Sequence, residues 1–304
     1  MGSFRPRLAL LALAACVSTA CTIDLDAAQY TAKEDKTFTV TGKADITLKT
    51  FDGSIAVMAW DKSQVALTIE RHAGSQAEAE ALKVKAEQDG NRIVIEAVKP
   101  EGTDGVHVGW HAGRSVSFVL HVPKQTDLTA SSGDGSIDAT GVAGTVQLKS
   151  GDGSIKAADL VGDVSVHTGD GSVDADNVSG ALDVSTGDGS VSISGAPKAL
   201  KARTGDGAVN VKVATVASPS EDWDISTGDG SVTVSLPSGF NAQLDAHTGD
   251  GSIRNELKLA AEAEASDKDA NHESSRRTLR AKLGAGGKIL KLRTGDGSIR
   301  LKAD

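Results

Sequence analysis

The fold is decided by the stretch Val164-Ser165-Val166-His167-Thr168-Gly169-Asp170-Gly171-Ser172-Val173-Asp174-Ala175. Counted from Asp170, apolar residues stand at −6 and −4 before it (Val164, Val166) and at +3 and +5 after it (Val173, Ala175). Apolar residues two apart mark strands with one buried face. Side chains alternate strictly along a strand. Even positions before the Asp and odd positions after it therefore cannot belong to one continuous strand. The chain must bend at Gly-Asp-Gly. Glycine there is expected to supply positive φ, and the Asp side chain to bond its own backbone in an Asx-turn.

The same corner recurs along the chain. Its aspartates are Asp134, Asp152, Asp170, Asp188, Asp206, Asp229, Asp250 and Asp296, with Gly-Ala instead of Gly-Ser after Asp206. The first four intervals are all 18 residues, and the next are 23, 21 and 46. Position +3 is Ile or Val in all eight copies, and a degenerate copy, Phe51-Asp52-Gly53-Ser54-Ile55, stands upstream. A fixed period near 20 residues with turn residues in phase marks a repeat architecture. Each unit reads as strand, corner, strand and a second bend near Gly144, Gly162 or Gly180. Equivalent strands of successive units are expected to stack in parallel, about 4.8 Å apart. No unit buries its apolar face alone, so the stack makes the core. The expected fold is all-β, a single-chain β-solenoid. A β-sandwich or propeller is the runner-up, but a propeller blade needs roughly 40 residues, well over the period seen here.

Outside the array the pattern loosens. Residues 22–128 read as a β-rich N-terminal cap ahead of a repeat domain at 129–304. Strands are expected at Phe38-Thr39-Val40, Ile46-Thr47-Leu48, Val65 to Ile69 and Val116 to Leu120. Leu82, Val84 and Ala86 face Ile93, Ile95 and Ala97 across Asp89-Gly90-Asn91, a hairpin signal. Gln76 to Ala81 suits one short helical turn. Residues 254–287 form a polar, Ala- and Glu-rich insertion, expected as a helical or loose flap over the last coils.

Residues 1–21 read as an address. Arg5 and Arg7 precede an apolar run, Leu8 to Ala15, that ends at Cys16. The run suits an export signal and is too short to span a bilayer. Leu13-Ala14-Ala15-Cys16 has the form of a bacterial lipobox, and Ser18-Thr19-Ala20-Cys21 is the alternative. The lipid anchor is thus expected at Cys16, or else at Cys21. Export permits disulfides, yet these are the only two cysteines, so stability must come from packing and backbone hydrogen bonds.

Composition excludes some partners. Of 304 residues, 32 are Lys or Arg and 41 Asp or Glu, a formal net charge of −9. Nucleic acid is not an expected partner, because phosphate contacts need clustered Lys and Arg. Only 9 residues are aromatic (3 Trp, 1 Tyr, 5 Phe), a poor supply for stacking sugars or bases.

The aspartate ladder is the main candidate for chemistry. Carboxylates one coil apart repel by about 0.9 kcal/mol in water, and more in lower dielectric. Three features could offset this. Backbone N–H groups can stabilise the anions. A basic or neutral column stands three residues upstream of the corner aspartates: Lys149, His167, Ser185, Arg203, Ser226, His247 and Arg293. A shared calcium ion at Asp134, Asp152, Asp170, Asp188 and Asp206 is the third. Calcium-binding nonapeptide rolls carry Gly-Gly-x-Gly-x-Asp in each half-turn. The second half here, such as Val178-Ser179-Gly180-Ala181-Leu182, lacks it, so structural turns are preferred and no metal is assigned. Asp267-Lys268-Asp269-Ala270-Asn271 starts like an EF-hand loop but has His272 and Thr278 where Gly and Glu are required. His107 and His111 flank Trp110 with no third ligand in view. Gly-x-Ser-x-Gly, His-Glu-x-x-His and phosphate-loop motifs are missing from the sequence. A polysaccharide-active β-helix would need a few unique carboxylates at one level, not one carboxylate at every level. No catalytic residue and no cofactor are expected.

The array resembles a bacterial family of candidate adhesins, a domain of unknown function built of Thr-Gly-Asp-Gly-Ser-Ile/Val strand repeats. The resemblance covers about residues 36–304 and includes Ile55-Ala56-Val57 followed by Trp60-Asp61, and Leu292-Arg293-Thr294-Gly295-Asp296-Gly297-Ser298-Ile299. It implies a β-repeat fold and no catalytic residues. The expected function is a non-catalytic envelope lipoprotein. It would be exported and lipid-anchored at the outer membrane or the periplasmic face, with its solenoid meeting a glycan or envelope protein. A calcium-stabilised structural rod is the alternative, and a polysaccharide-active β-helix enzyme the one after it.

Overall fold

A computed structural model describes residues 30–98, 113–214, 219–257 and 277–304. Two sheets of 12 strands each face one another, and most neighbours within them pair in parallel. Their inner faces share one hydrophobic core running the length of the stack. The chain is a β-solenoid, as its period predicts. The period sets the register directly. Val146 pairs with Val164, Val164 with Leu182, and Leu182 with Leu200 on one sheet. On the other, Ile155 pairs with Val173, Val173 with Val191, and Val191 with Val209. Every rung thus places the same aliphatic position over its neighbour, and fully buried Leu and Val columns result. Trp223 occupies the Leu200–Leu290 column and packs against Phe240 at 5.8 Å between ring centroids.

The order of the rungs departs from the sequence at both ends. Strand Trp223–Thr227 pairs with Ile289–Thr294, and the latter with Ala242–Thr248. The Asp296 rung therefore lies between the Asp229 and Asp250 rungs. At the other end, Ala44–Thr50 and Ile55–Trp60 pair with Thr126–Ser132 and Ile137–Thr140, so the Asp52 corner is the neighbour of Asp134. Arg92–Ala97 and Ser115–Pro123 then build a rung on the far side of residues 44–60. At the C-terminal end the chain overshoots by one rung and returns to fill the slot; at the N-terminal end it lays one rung outside residues 44–60 and then crosses to their other side.

The N-terminal residues contribute two rungs to the same two sheets, together with antiparallel edges. Tyr30–Thr39 and Gln64–Ala73 extend one sheet. Val84–Asp89 closes the other as the expected hairpin partner of Arg92–Ala97. Gln76–Ala81 is a helical turn whose first turn is capped by Ser75. The insertion differs from expectation in its described part. Thr278–Leu283 is a strand, paired antiparallel with Ala242–Thr248. It closes a sheet edge that a helix could not have hydrogen-bonded.

The corner glycines also differ from expectation. No glycine of the Gly-Asp-Gly corners has positive φ; only Gly53, of the degenerate Phe51-Asp52-Gly53 copy, does, at 125°. The others are glycine for lack of room. A Cβ on Gly153 would collide with the carbonyl oxygen of Gly135, and one on Gly171 with that of Gly153. The left-handed residues sit instead at the second bend, where Gly141, Asp159 and Asn177 have φ of 77°, 54° and 52°. Asp and Asn tolerate that conformation better than other non-glycine residues. Asn177 Nδ2 donates to Asp159 Oδ1 at 2.7 Å, tying two bends together.

Candidate functional site

The eight repeat aspartates lie in one row, in the spatial order Asp134, Asp152, Asp170, Asp188, Asp206, Asp229, Asp296, Asp250, with Asp52 preceding Asp134. All eight are exposed, while Asp52 is half-buried. Backbone bonds set their spacing. The N–H groups of Gly169, Gly187 and Gly205 each donate to the glycine carbonyl one rung below at 2.5 Å, and those of Gly228 and Gly295 do so at 2.6 Å.

Beneath the row runs a second column that sequence reasoning missed. Position −2 is a hydroxyl residue in every copy: Ser132, Ser150, Thr168, Thr186, Thr204, Thr227, Thr248 and Thr294, all buried. Thr204 shows the pattern. Its Oγ1 donates to Gly189 O at 2.8 Å and accepts from Gly207 N–H at 3.2 Å. Thr227 and Thr294 repeat both contacts. The hydroxyl fastens every corner to the rung below and seven of the eight to themselves, the role assigned on sequence to the Asp carboxylate. The signal was there, a Ser or Thr two residues before every Asp. It was overlooked because a small polar residue within a strand is ordinarily read as solvent-facing.

The basic column lies on the outer face of its sheet and does not neutralise the corner aspartates as expected. Its partners are its own neighbours: Arg203 reaches Asp224 at 3.2 Å, Arg293 reaches Asp245 at 2.6 Å, and His167 Nδ1 meets Ser185 Oγ at 2.7 Å. Of the corner carboxylates, Asp250 has a cation at 3.4 Å, Arg277 from the returning segment. One column inward the charges alternate in register: Asp183, Lys201, Asp224, Lys291 and Asp245. That alternation replaces like-charge repulsion with attraction.

Among the described residues four carboxyl groups are shifted by their surroundings, Asp52 upward and Glu34, Asp127 and Asp245 downward; two of them flank the corner row. Partial burial raises the Asp52 carboxyl above its usual value, the Asp134 carboxylate adds to this, and the Gly53 N–H opposes it. Partial burial also raises Asp245, but the hydrogen bond and charge of Arg293, with Arg280, outweigh it and hold the carboxyl below its usual range.

The outward faces are shallow. A groove of about 500 Å³ on one sheet is lined by Gln147, Ser165, Asp183, Lys201 and Asp224. A second, of about 280 Å³, runs along the other sheet over Ser136, Ser154, Ser172 and Ser190, beside Lys156 and Asp174. Both are built from the same positions on successive rungs. Among the described residues no three His, Cys, Asp or Glu side chains are grouped to hold a metal ion. Cys16, Cys21, His107, Trp110, His111 and residues 267–272 lie outside the described residues.

These features define a two-sheet β-solenoid whose polar surface consists of repeated columns. A family model described as Toastrack DUF4097 matches residues 43–302. The chain belongs to that family. No curated protein matches it. Among solved structures it is similar to a candidate cell adhesion protein from Clostridium sporogenes ATCC 15579 (13% identity, covering 90% of this chain and 100% of that one, TM-score 0.30). It is similar also to a candidate adhesin from Bacteroides fragilis NCTC 9343 (11% identity, 88% and 96% covered, TM-score 0.38). A third is a candidate lipid-binding protein from Parabacteroides distasonis ATCC 8503 (11% identity, 88% and 96% covered, TM-score 0.35).

Proposed function

We propose that this chain is a non-catalytic envelope lipoprotein whose solenoid is a binding or scaffolding surface for a glycan or another envelope protein. One observation carries the reading. The polar side chains of both outer grooves come from the same positions on successive rungs. A catalytic centre needs unlike groups converging on one point. Equivalent groups at every level suit weak contacts repeated along an extended partner. The Cys16 lipobox supplies the anchor, with Cys21 as the alternative, and places the solenoid at a membrane surface.

Two experiments test this. The mature body is used to capture partners from envelope extracts, with a glycan array beside it. An extended glycan or one envelope protein is expected, and its binding should fade when Asp183, Lys201 and Asp224 are changed together to Ser. Separately, Cys16→Ser should release the protein from the membrane fraction. Release by neither Cys16→Ser nor Cys21→Ser would refute the anchor.

A further inference from the structure

The larger groove, about 500 Å³, lies on the outer face of the sheet that holds Val164–Thr168. One column of its lining is Asp163, Ala181, Ala199 and Asp222. The register fixes that column. Val164 pairs with Leu182, Ala181 with Ala199, and Leu200 with Trp223. Asp163 therefore stands one rung before Ala181, and Asp222 one rung after Ala199. Two methyl side chains separate two carboxylates. Three rung steps of roughly 4.8 Å put those carboxylates about 14 Å apart.

The other charged side chains of the groove are matched. Asp183 and Lys201 pair at 3.4 Å, and Asp224 pairs with Arg203 at 3.2 Å. Asp163 and Asp222 are exposed, and among the described residues neither has an ion pair. The Ile289 N–H donates to Asp222 Oδ1 at 2.9 Å, which fixes that carboxylate and leaves Oδ2 open. In the other direction the column runs past Thr145 to Asp127. There the chain supplies its own ammonium group, with Lys43 Nζ 2.7 Å from Asp127 Oδ1. An ammonium group thus fits a carboxylate of this column, and Asp163 and Asp222 lack one.

We propose that the groove binds a linear polyamine, with one terminal ammonium on Asp163, the other on Asp222, and the methylene chain over Ala181 and Ala199. The match is one of charge and of length. A ligand that reaches one carboxylate makes a single exposed ion pair, which contributes little. A second ammonium at the right distance makes the second contact intramolecular and raises affinity without a new kind of contact. The alanines leave the path open and give the methylenes apolar carbon to cover. This goes beyond the macromolecular partner proposed above. It uses a different column from Asp183, Lys201 and Asp224, and it needs neither the anchor nor a second protein.

The test titrates the full chain with α,ω-diamines of four to twelve carbons in low-salt buffer, read by calorimetry. All carry two charges, so only length varies. Affinity should peak near ten carbons, the length whose extended nitrogens match the carboxylate spacing, about tenfold above the four-carbon diamine. Asp163→Asn and Asp222→Asn should each remove the peak and leave the four-carbon affinity within about twofold. Asp296→Asn takes the same charge from the corner row and should leave the peak in place. Equal affinity at every length overturns the proposal. So does a peak that survives both Asn variants, or no binding at millimolar diamine. A glucosamine oligomer that binds at Asp163 and Asp222 in preference to the ten-carbon diamine also overturns it, and makes the groove a glycan subsite.

Discussion

Removing one hydroxyl from the buried column tests what holds the corners. Thr204→Val keeps the side-chain shape and replaces Oγ1 by a methyl group. Thr204 is 7% exposed, so water cannot readily replace what is lost. Three groups lose a contact: the Gly207 N–H, the Gly189 carbonyl and, at 3.2 Å, the Gly187 carbonyl, which keeps its bond from Gly205 N–H. The Gly189 carbonyl has a second lone pair, so the larger loss is the buried N–H. Leaving such a donor unpaired costs about 1–3 kcal/mol, and the extra apolar methyl returns only part of it. The expected loss is about 2 kcal/mol. Ser132 and Ser150 already occupy this column and make the same contacts, so Thr204→Ser should fall within about 0.5 kcal/mol of the wild type. Urea unfolding gives the total. Amide hydrogen exchange gives the location, with protection lost at Gly207 and at the rungs beside it. A Thr204→Val protein within about 0.5 kcal/mol of wild type, with Gly207 still protected, would refute the assignment of the corner to the hydroxyl.

Gly171→Ala should destabilise by about 3 kcal/mol in the same assay, because its Cβ meets the Gly153 carbonyl oxygen; an exposed bend with room would instead gain from the change. Asp245→Ala should cost about 1 kcal/mol after allowance for solvent screening, read from urea unfolding, since Arg293 and Arg280 lose their shared carboxylate. The Asp245 carboxyl is depressed in the fold, so its contribution is complete above the ordinary carboxylate pKa and disappears as pH falls through the lower folded value. Stability of wild type and Asp245→Ala should therefore converge in acid. Asp52 has the opposite sign, and Asp134→Ser should move its titration downward, measured by NMR of the carboxyl carbon. The thermal midpoint should be the same in calcium and in chelator, since turns and hydroxyls account for the corners; a rise with calcium would restore the cation at the aspartate row.

The period, the parity change and the buried columns were legible because they are properties of each unit alone. Val164, Val166, Val173 and Ala175 report their own faces whatever their neighbours do. Two things were missed, and one of them depends on another rung. Whether Gly153 bends the chain or merely makes room is decided by the Gly135 carbonyl beneath it. Thr204 shares the even parity of Leu200 and Ala202 and faces the core with them, but the parity rule was applied only to apolar residues. The charged columns show the same limit. Arg203 stands three residues before a corner Asp in sequence, yet its ion pair is with Asp224 on the next rung.

The exchanged rungs at the two ends follow from what a parallel stack leaves exposed. Every terminal rung presents free N–H and C=O groups on two strands, a template for pairing with other chains. An antiparallel strand can close such an edge, but the chain must first travel beyond the last rung to lay it down. At one end Tyr30–Thr39 and Val84–Asp89 take the edge positions, and both carry charges, Lys33 to Lys36 on one and Lys85 and Glu87 on the other. At the other end Thr278–Leu283 does so, and Asp245 joins it to the returning rung through Arg280 and Arg293. The returning rung at residues 289–303 then enters a slot between strands already laid down, while residues 126–140 cross to the open side of residues 44–60. Such contacts span long stretches of sequence and form late, because their loop entropy is lost before any pairing offsets it. The central rungs, each pairing 18 residues away, carry no such delay. The solenoid should accordingly condense from its regular middle and be closed last at its edges.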